Sequence, residues 1–311
     1  MGICLDGKSA LLIQGPILSN GKTGQHFGKG NIPIDDNYFD TTDTINDTIR
    51  KYGEDFDLVI VSTWDSENTT GILDHDSVRI LKSEVPNRKN RNKREPNSYR
   101  QFYSVLKGLE LANDFGCTFI VKIRTDTSID ASSILNLCKY RPESIWVVPF
   151  QQPNCISDFI IAGNLQNLKY LSKQFLRRRF LRRSIHFELF YSYVYFRGNV
   201  WSKIRFWNCF PKNQYLTNSQ ARLIRNSWKR HFSAIPQSIW NDILWRGFGI
   251  PNESKKSDEQ LQKKFDTWLE LQVAKSRSMS RFSLRNSRFF GFLLPIFVKL
   301  KTRTSSRLAD Q

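Results

Sequence analysis

A chain of 311 residues can bury a large core in one domain or two, and this one carries 47 Lys and Arg against 29 Asp and Glu, a formal net charge of +18. Its 40% hydrophobic and 24% charged content is ordinary for a folded soluble protein, but the cationic excess implies an anionic partner: nucleic acid, lipid headgroups or a phosphorylated substrate. Cys4, Cys117, Cys138, Cys155 and Cys209 are odd in number and form no C-x-x-C pair, and the four histidines are far apart, which argues against a zinc site or disulfide framework and for a reducing cytoplasm.

Ala10–Gln14 reads as a short apolar strand broken by Gly15-Pro16, and residues 20–42, rich in Gly, Asn and Asp, read as a long loop. Ile45, Ile49 and Tyr52 are at helical spacing behind possible caps at Asp43 and Thr44. Asp57–Thr63 is the clearest buried strand, and Val78–Leu81 a further one. Residues 87–96 (NRKNRNKREP) are basic without apolar period, hence an exposed loop. Asn97 or Ser98 then caps a helix whose face is Phe102, Val105, Leu106 and Leu109. The strand Thr118–Asp126, a short helix near 132–139 and the strand Ile145–Phe150 follow. This order predicts an α/β fold, a mostly parallel sheet flanked by helices.

After residue 164 the chain turns to helix, aromatics and arginine. Phe187, Phe190, Tyr191, Val194 and Tyr195 are at helical spacing, and a capping box of Ser257 with Gln260 opens a helix that buries Leu261, Phe265, Trp268 and Leu269. From Lys275 to Arg307 nine Lys or Arg and no acid surround the apolar run Phe289–Val298. That run is too short to cross a ~30 Å hydrocarbon core. It suits the interface instead, with flanking cations on anionic headgroups. The start, Met1–Asp6, has no basic region of a secretory signal and lacks the residue expected for myristoylation. The expected divisions are 1–200 for a catalytic domain, 201–274 for a helical extension of it, and 275–311 for a basic tail.

No Walker loop, G-x-G-x-x-G, G-x-S-x-G or H-E-x-x-H is present. Helix-turn-helix and aromatic-basic RNA motifs are equally missing, so no nucleic-acid partner is expected. The most informative stretch is Thr118–Asp126, an apolar run that ends in Arg124, Thr125 and Asp126. In α/β sheets ligands bind at the carboxyl ends of strands, so this run brings a cation and a carboxylate to the usual place of chemistry. The carboxylate suits a divalent metal or a ribose, and the arginine a phosphate; the plain alternative is a salt bridge between the two.

LLIQGPI (11–17), VIVSTW (59–64), Asn97, Arg100 and Gln101 before SVLKGL (104–109), VKIRTD (121–126) and ISDFIIAG (156–163) occur in that order. Over residues 10–200 this ordered set resembles the WavE family of lipopolysaccharide-synthesis proteins. The resemblance implies a glycosyltransferase of GT-A-like nucleotide-diphospho-sugar transferase fold. It would sit in the cytoplasm, peripheral on the inner membrane, and move a sugar from a nucleotide-sugar onto a lipid-linked or phosphorylated saccharide such as lipopolysaccharide core or O-antigen. Such folds carry a D-x-D metal motif where this chain has Arg124-Thr-Asp126, so only Asp126 remains to hold Mg²⁺ or Mn²⁺, or else the donor ribose. Arg124 would stabilise the departing nucleoside diphosphate.

Gln14, Gly15 and Pro16 stand where such folds place the donor nucleotide, or form only a tight turn. Ser62, Thr63 and Trp64 end the second strand, with Trp64 free to stack on a base or to cap the core. Asn97, Arg100 and Gln101 share one helical turn suited to a phosphate, or are a cap and a solvated face. Asp158 and Glu188 are the candidate general bases for an inverting reaction. Arg177–Arg183 would grip acceptor phosphates or headgroups, or form a solvated helix face. The rival readings are a basic scaffold on anionic membrane or polysaccharide, a nucleic-acid-binding protein, and a sugar nucleotidyltransferase.

Overall fold

The computed structural model describes residues 7–20, 38–86, 97–149, 156–177, 230–240, 242–245 and 248–249, with Asn226 and Thr267 as isolated positions. In chain order the elements are β1 (Ser9–Gln14), β2 (Leu18–Asn20), β3 (Tyr38–Asp40), α1 (Thr42–Tyr52), β4 (Leu58–Trp64), β5 (Val78–Ser83), α2 (Asn97–Asp114), β6 (Phe119–Arg124), β7 (Thr127–Ser128), α3 (Ala131–Tyr140), β8 (Ile145–Pro149), β9 (Ile156–Asn164), α4 (Leu165–Arg177), β10 (Phe232–Ala234), α5 (Gln237–Trp240), β11 (Leu244–Trp245) and β12 (Phe248–Gly249). The protein is thus α/β, with a mostly parallel sheet flanked by helices.

All six residues of β1 are buried, because β1 is an interior strand of the sheet and is covered on both faces. It pairs in parallel with β4 on one side and β6 on the other, and β5 extends the sheet beyond β4. Beyond β6 comes β9, antiparallel, then β8, again antiparallel to β9, and finally β10, parallel to β8. The order is β5-β4-β1-β6-β9-β8-β10, with β9 the reversed strand. The chain leaves β1 for β4 and β5, then crosses back to β6. The strand order therefore reverses between β1 and β6, which puts a crevice at their carboxyl ends.

Side-chain alternation divides the core in two. Ala10, Leu12, Leu58, Ile60 and Ile120 meet α2 and α4 through Phe102, Leu109, Leu168 and Leu171. The rings of Phe102 and Phe175 join the two helices at 4.5 Å. Leu11, Ile13, Val59, Val61, Val121 and Ile123 meet α1 and α3 through Ile45, Ile49, Ile134 and Leu135. Gly108 lets α2 lie close on β1, since a Cβ there would run into the Leu12 side chain.

Several expectations change. The ends of the loop expected over 20–42 pair as a short antiparallel ribbon, β2 with β3. The loop is anchored at its far end by Thr41, whose N–H and hydroxyl both donate to the Ile17 carbonyl. α1 starts earlier than Asp43 and Thr44 suggested: Thr42 is its first residue, and the Asp40 side chain accepts the Thr42 N–H at 2.9 Å. Within 201–274, expected to be helical, the described residues between 232 and 249 form three short strands and one short helix, α5. β10 adds to the main sheet, and β11 pairs with both β12 and β7 in a small antiparallel sheet. The helices expected at 187–195 and, apart from Thr267, from Ser257 to Leu269, and the basic tail, lie outside the described residues.

Candidate functional site

The crevice is built from the three residues that end the central strands. Gln14 on β1 is in register with Ser62 on β4 and with Arg124 on β6, so the three form one row on the face that carries α2 and α4. With strands about 4.8 Å apart, the row is roughly 10 Å long. Gln14 and Ser62 are buried. The Ser62 hydroxyl lies 2.8 Å from that of Ser104 and donates to the Ser104 carbonyl at 3.1 Å, which fixes the height of α2 against β4.

That contact also locates the start of α2. Asn97 is seven residues before Ser104, so at 1.5 Å per residue the helix begins about 10 Å past this row. Arg100 is one turn before Ser104 on the same stripe and is exposed, and Gln101 beside it is half-buried. Asn97, Arg100 and Gln101 therefore lie toward the carboxyl edge of the sheet.

The turn after β1 is tight. The Gly15 N–H donates to the Ser62 carbonyl at 3.1 Å, and Pro16 has no N–H to give. Gly15 has a φ of +149°, and a Cβ on it would stand 2.5 Å from Thr125 Oγ1. Glycine is needed here because the β1 and β6 turns touch. Thr125 makes the contact: its N–H donates to the Gln14 carbonyl at 3.1 Å and its hydroxyl to the Pro16 carbonyl at 2.9 Å.

On either side of Thr125 the charged pair closes. Arg124 Nε donates to Asp126 Oδ1 and Arg124 Nη2 to Asp126 Oδ2, each at 2.9 Å. The Asp126 side chain is 2% exposed and that of Arg124 20%. The guanidinium carbon lies 4.8 Å from the centre of the Phe159 ring, which covers it by a cation–π contact. Both oxygens of Asp126, the expected metal or ribose ligand, thus accept an N–H of Arg124, each with a second lone pair beyond that bond. Among the described residues no group of three or more His, Cys, Asp or Glu converges as metal ligands would.

Thr63 is fully buried, and its hydroxyl finds no hydrogen-bond partner among the described residues; the same holds for Thr127, directly after Asp126. Trp64 is half-buried at the end of β4. Asp158 is the third residue of β9, and since β9 runs opposite to β6, its start lies at the carboxyl edge where Arg124 ends. Glu188 and Arg178–Arg183 lie outside the described residues.

Sequence reasoning missed four participants. Ser104 and Thr125 are ordinary residues in their motifs, and only the register reveals them. Phe159 stood within the quoted ISDFIIAG segment but reads as core. Lys122, 3% exposed and two residues before Arg124 on the same face of β6, had a signal: a charge inside an apolar run.

No protein-family model matches this chain, and no curated protein matches it. Among solved structures it is similar to 4-diphosphocytidyl-2C-methyl-D-erythritol synthase from Anaerococcus prevotii, with 9% identity and a TM-score of 0.35 over 84% of this chain and 96% of the other. A cytidylyltransferase from Leptospira borgpetersenii is 14% identical with a TM-score of 0.31, over 81% and 77%. A glucose-1-phosphate thymidylyltransferase from Bacillus anthracis is 12% identical with a TM-score of 0.33, over 84% and 95%.

Proposed function

We propose that this chain is a glycosyltransferase of GT-A-like fold that takes a sugar from a nucleoside-diphosphate donor bound at the β1–β6 switch point. The observation that carries the reading is the row Ser62–Gln14–Arg124, which puts a clamped cation at the crevice where open α/β sheets hold nucleotides. The acceptor follows from the resemblance to lipopolysaccharide-synthesis proteins and from the net charge of +18: a phosphorylated or lipid-linked saccharide at an anionic membrane surface. Among the described residues no helix is long and apolar enough to cross a membrane.

In the reaction, the bond between the sugar's anomeric carbon and the diphosphate oxygen breaks, and its electron pair stays on that oxygen beside Arg124. The acceptor hydroxyl oxygen forms the new bond and gives its proton to a carboxylate. Asp158, at the carboxyl edge on the strand beside β6, is the candidate base, with Glu188 the second. The amides of Asn97–Gln101 and the side chain of Arg100 would face the phosphates from above.

The same crevice would serve a sugar nucleotidyltransferase, which joins a nucleoside triphosphate to a sugar phosphate and releases pyrophosphate. The β1 turn offers no amide at its first two positions to either donor, since the Gly15 N–H is spent on Ser62 and Pro16 has none, so the reaction products decide between the two. The deciding experiment is a melting series with nucleoside diphosphates, nucleotide-sugars and nucleoside triphosphates, followed by product analysis. Native-state binding at a hundredfold excess over Kd adds about 2.7 kcal/mol. Stabilisation by one diphosphate and its sugar, with the free diphosphate as product, is the expected result. Release of pyrophosphate from a triphosphate and a sugar phosphate would establish the nucleotidyltransferase instead.

A further inference from the structure

We infer that the outer face of α4 is a docking surface for an anionic lipid bilayer, with Lys169 and Lys173 as its described contacts. The inference deepens the membrane half of the reading above and does not depend on the donor half.

The chain's net charge of +18 does not sit on the α/β body. The described residues carry 15 Lys and Arg against 18 Asp and Glu, so the cationic excess belongs to the rest of the chain. Within the body, charge divides by face. Residues 42–77, which hold α1, β4 and the crossover to β5, carry nine Asp or Glu against two Lys or Arg. Asn46 of α1 clasps that crossover, donating to the Gly71 carbonyl and accepting the Leu73 N–H, so the crossover's acids belong to the α1 side. On the opposite side of the sheet, α4 has Lys169, Lys173 and Arg177 and no acid. An anionic bilayer repels the first side and attracts the second.

An ordinary solvated helix face does not account for α4. Both α1 and α2 interleave the two signs and pair them, Arg50 with Asp47 at 2.8 Å and Lys107 with Glu110 at 3.1 Å. The helix dipole does not account for it either: its pull on cations falls off within the last turn, and Lys169 stands about two turns before the end. Lys169 is half-buried and Lys173 exposed, four residues apart on one stripe. Leu168, Leu171 and Phe175 are buried in the core on the other side of the helix. The stripe also has a direction. The Leu165 N–H donates to the Thr118 carbonyl at 2.8 Å, at the start of β6, and the Phe175 ring meets that of Phe102 at 4.5 Å, near the start of α2. Helix α4 therefore runs toward the carboxyl edge, and the sequence goes on with RRFLRR (178–183). A bilayer against this face lies beside the mouth of the crevice, where a lipid-linked acceptor has to enter.

The test is co-sedimentation of the full chain with vesicles of phosphatidylglycerol and phosphatidylcholine at low salt, with phosphatidylcholine alone as the uncharged control. Lys169→Gln/Lys173→Gln is compared with Lys51→Gln/Lys139→Gln, which removes the same charge from α1 and α3; each pair takes one exposed and one half-buried lysine. A cation near an anionic surface strengthens binding about fivefold, so the α4 pair should lose at least about tenfold in affinity and the α1–α3 pair less than about threefold. Lys169→Arg/Lys173→Arg should bind as the wild type does. The single variants Lys169→Gln and Lys173→Gln, each expected to lose about fivefold, carry the comparison should the pair fold poorly. Equal losses from the two glutamine pairs would overturn the inference and leave an anionic membrane as partner through net charge alone. Wild-type binding no stronger to the anionic vesicles than to phosphatidylcholine would overturn both, while the response to nucleotides in solution decides the donor half separately.

Discussion

Gly15 is the residue on which the two halves of the crevice depend. Its φ of +149° disfavours any side chain, and an added Cβ would stand 2.5 Å from the Thr125 hydroxyl that ties β6 to the Pro16 carbonyl. Gly15→Ala should cost about 1–3 kcal/mol in urea denaturation and displace the Arg124–Asp126 pair, with a matching loss of nucleotide affinity. Gly116 is the control. It too has a positive φ, +75°, at the end of α2, but a Cβ there meets open space, so Gly116→Ala should cost about 1–2 kcal/mol and leave nucleotide affinity unchanged. Equal effects of the two variants on nucleotide affinity would remove the β1 turn from the site. Cys117 makes a separate prediction. Burial, helped by the Asp57 carboxylate, pushes its thiol from 9.0 up to about 11, against the opposing charge of Lys8. Above pH 9 the unfolded chain then releases a proton that the folded chain keeps, so stability falls as pH rises from about 9 to 11. Cys138 is pushed up further by burial alone and acts in the same sense. Denaturation midpoints across this interval should decline, and Cys117→Ala should flatten part of the decline.

At the scale of elements, the junction of β9 with β8 tests whether the reversed strand is needed. Gly163, with a φ of +149°, has the Ser144 carbonyl oxygen 2.8 Å from where its Cβ would be, and that neighbour is backbone. No side-chain rotation relieves the clash, so Gly163→Ala should cost more than Gly116→Ala and unravel the β8–β9 pairing first. Hydrogen exchange at Ile161 and Val147, which pair with each other, would report it. A global loss of protection with β8 and β9 opening no earlier than β1 would show that the sheet has no weaker half. This junction also marks where the sequence stops being legible. β1, β4 and β6 are buried on both faces, so each reads as an apolar run, and α2 carries its own 3.6-residue stripe. Arg124 and Asp126 stood out because they interrupt such a run at its carboxyl end. The antiparallel direction of β9, the pairing of β7 with β11 and the contact of Thr125 with Pro16 are long-range facts. Two- and three-residue strands such as β7, β10 and β11 have no room for a period, and the β7–β11 and β8–β10 pairings span about a hundred residues of chain. Ser104 is invisible for the same reason: what matters is its height against Ser62, which only the packing of α2 sets.

For the whole molecule, the return of the chain is the organising event. Among the described residues β10 forms the far edge of the main sheet, and β11 pairs with the strand that begins one residue after Asp126, so these two strands are part of the unit that holds the site. The basic tail after residue 274 has a different claim, and it rests on charge. Deleting residues 275–311 removes nine cations and one anion, so the formal net charge falls from +18 to +10. Each Lys or Arg near an anionic bilayer contributes about 1 kcal/mol, and the contribution is lost as salt shortens the Debye length from about 10 Å at 0.1 M to about 3 Å at 1 M. The apolar run Phe289–Val298 adds a component that salt does not screen. The full chain should therefore co-sediment with vesicles of phosphatidylglycerol and phosphatidylethanolamine at low salt and dissociate only in part at high salt. A chain ending at residue 274 should bind more weakly and dissociate completely, with its melting temperature and nucleotide response unchanged. Equal vesicle binding by the two chains would place the membrane-facing charge on the α/β body itself, and the acceptor would then be sought across the Arg100 side of the crevice rather than along the tail.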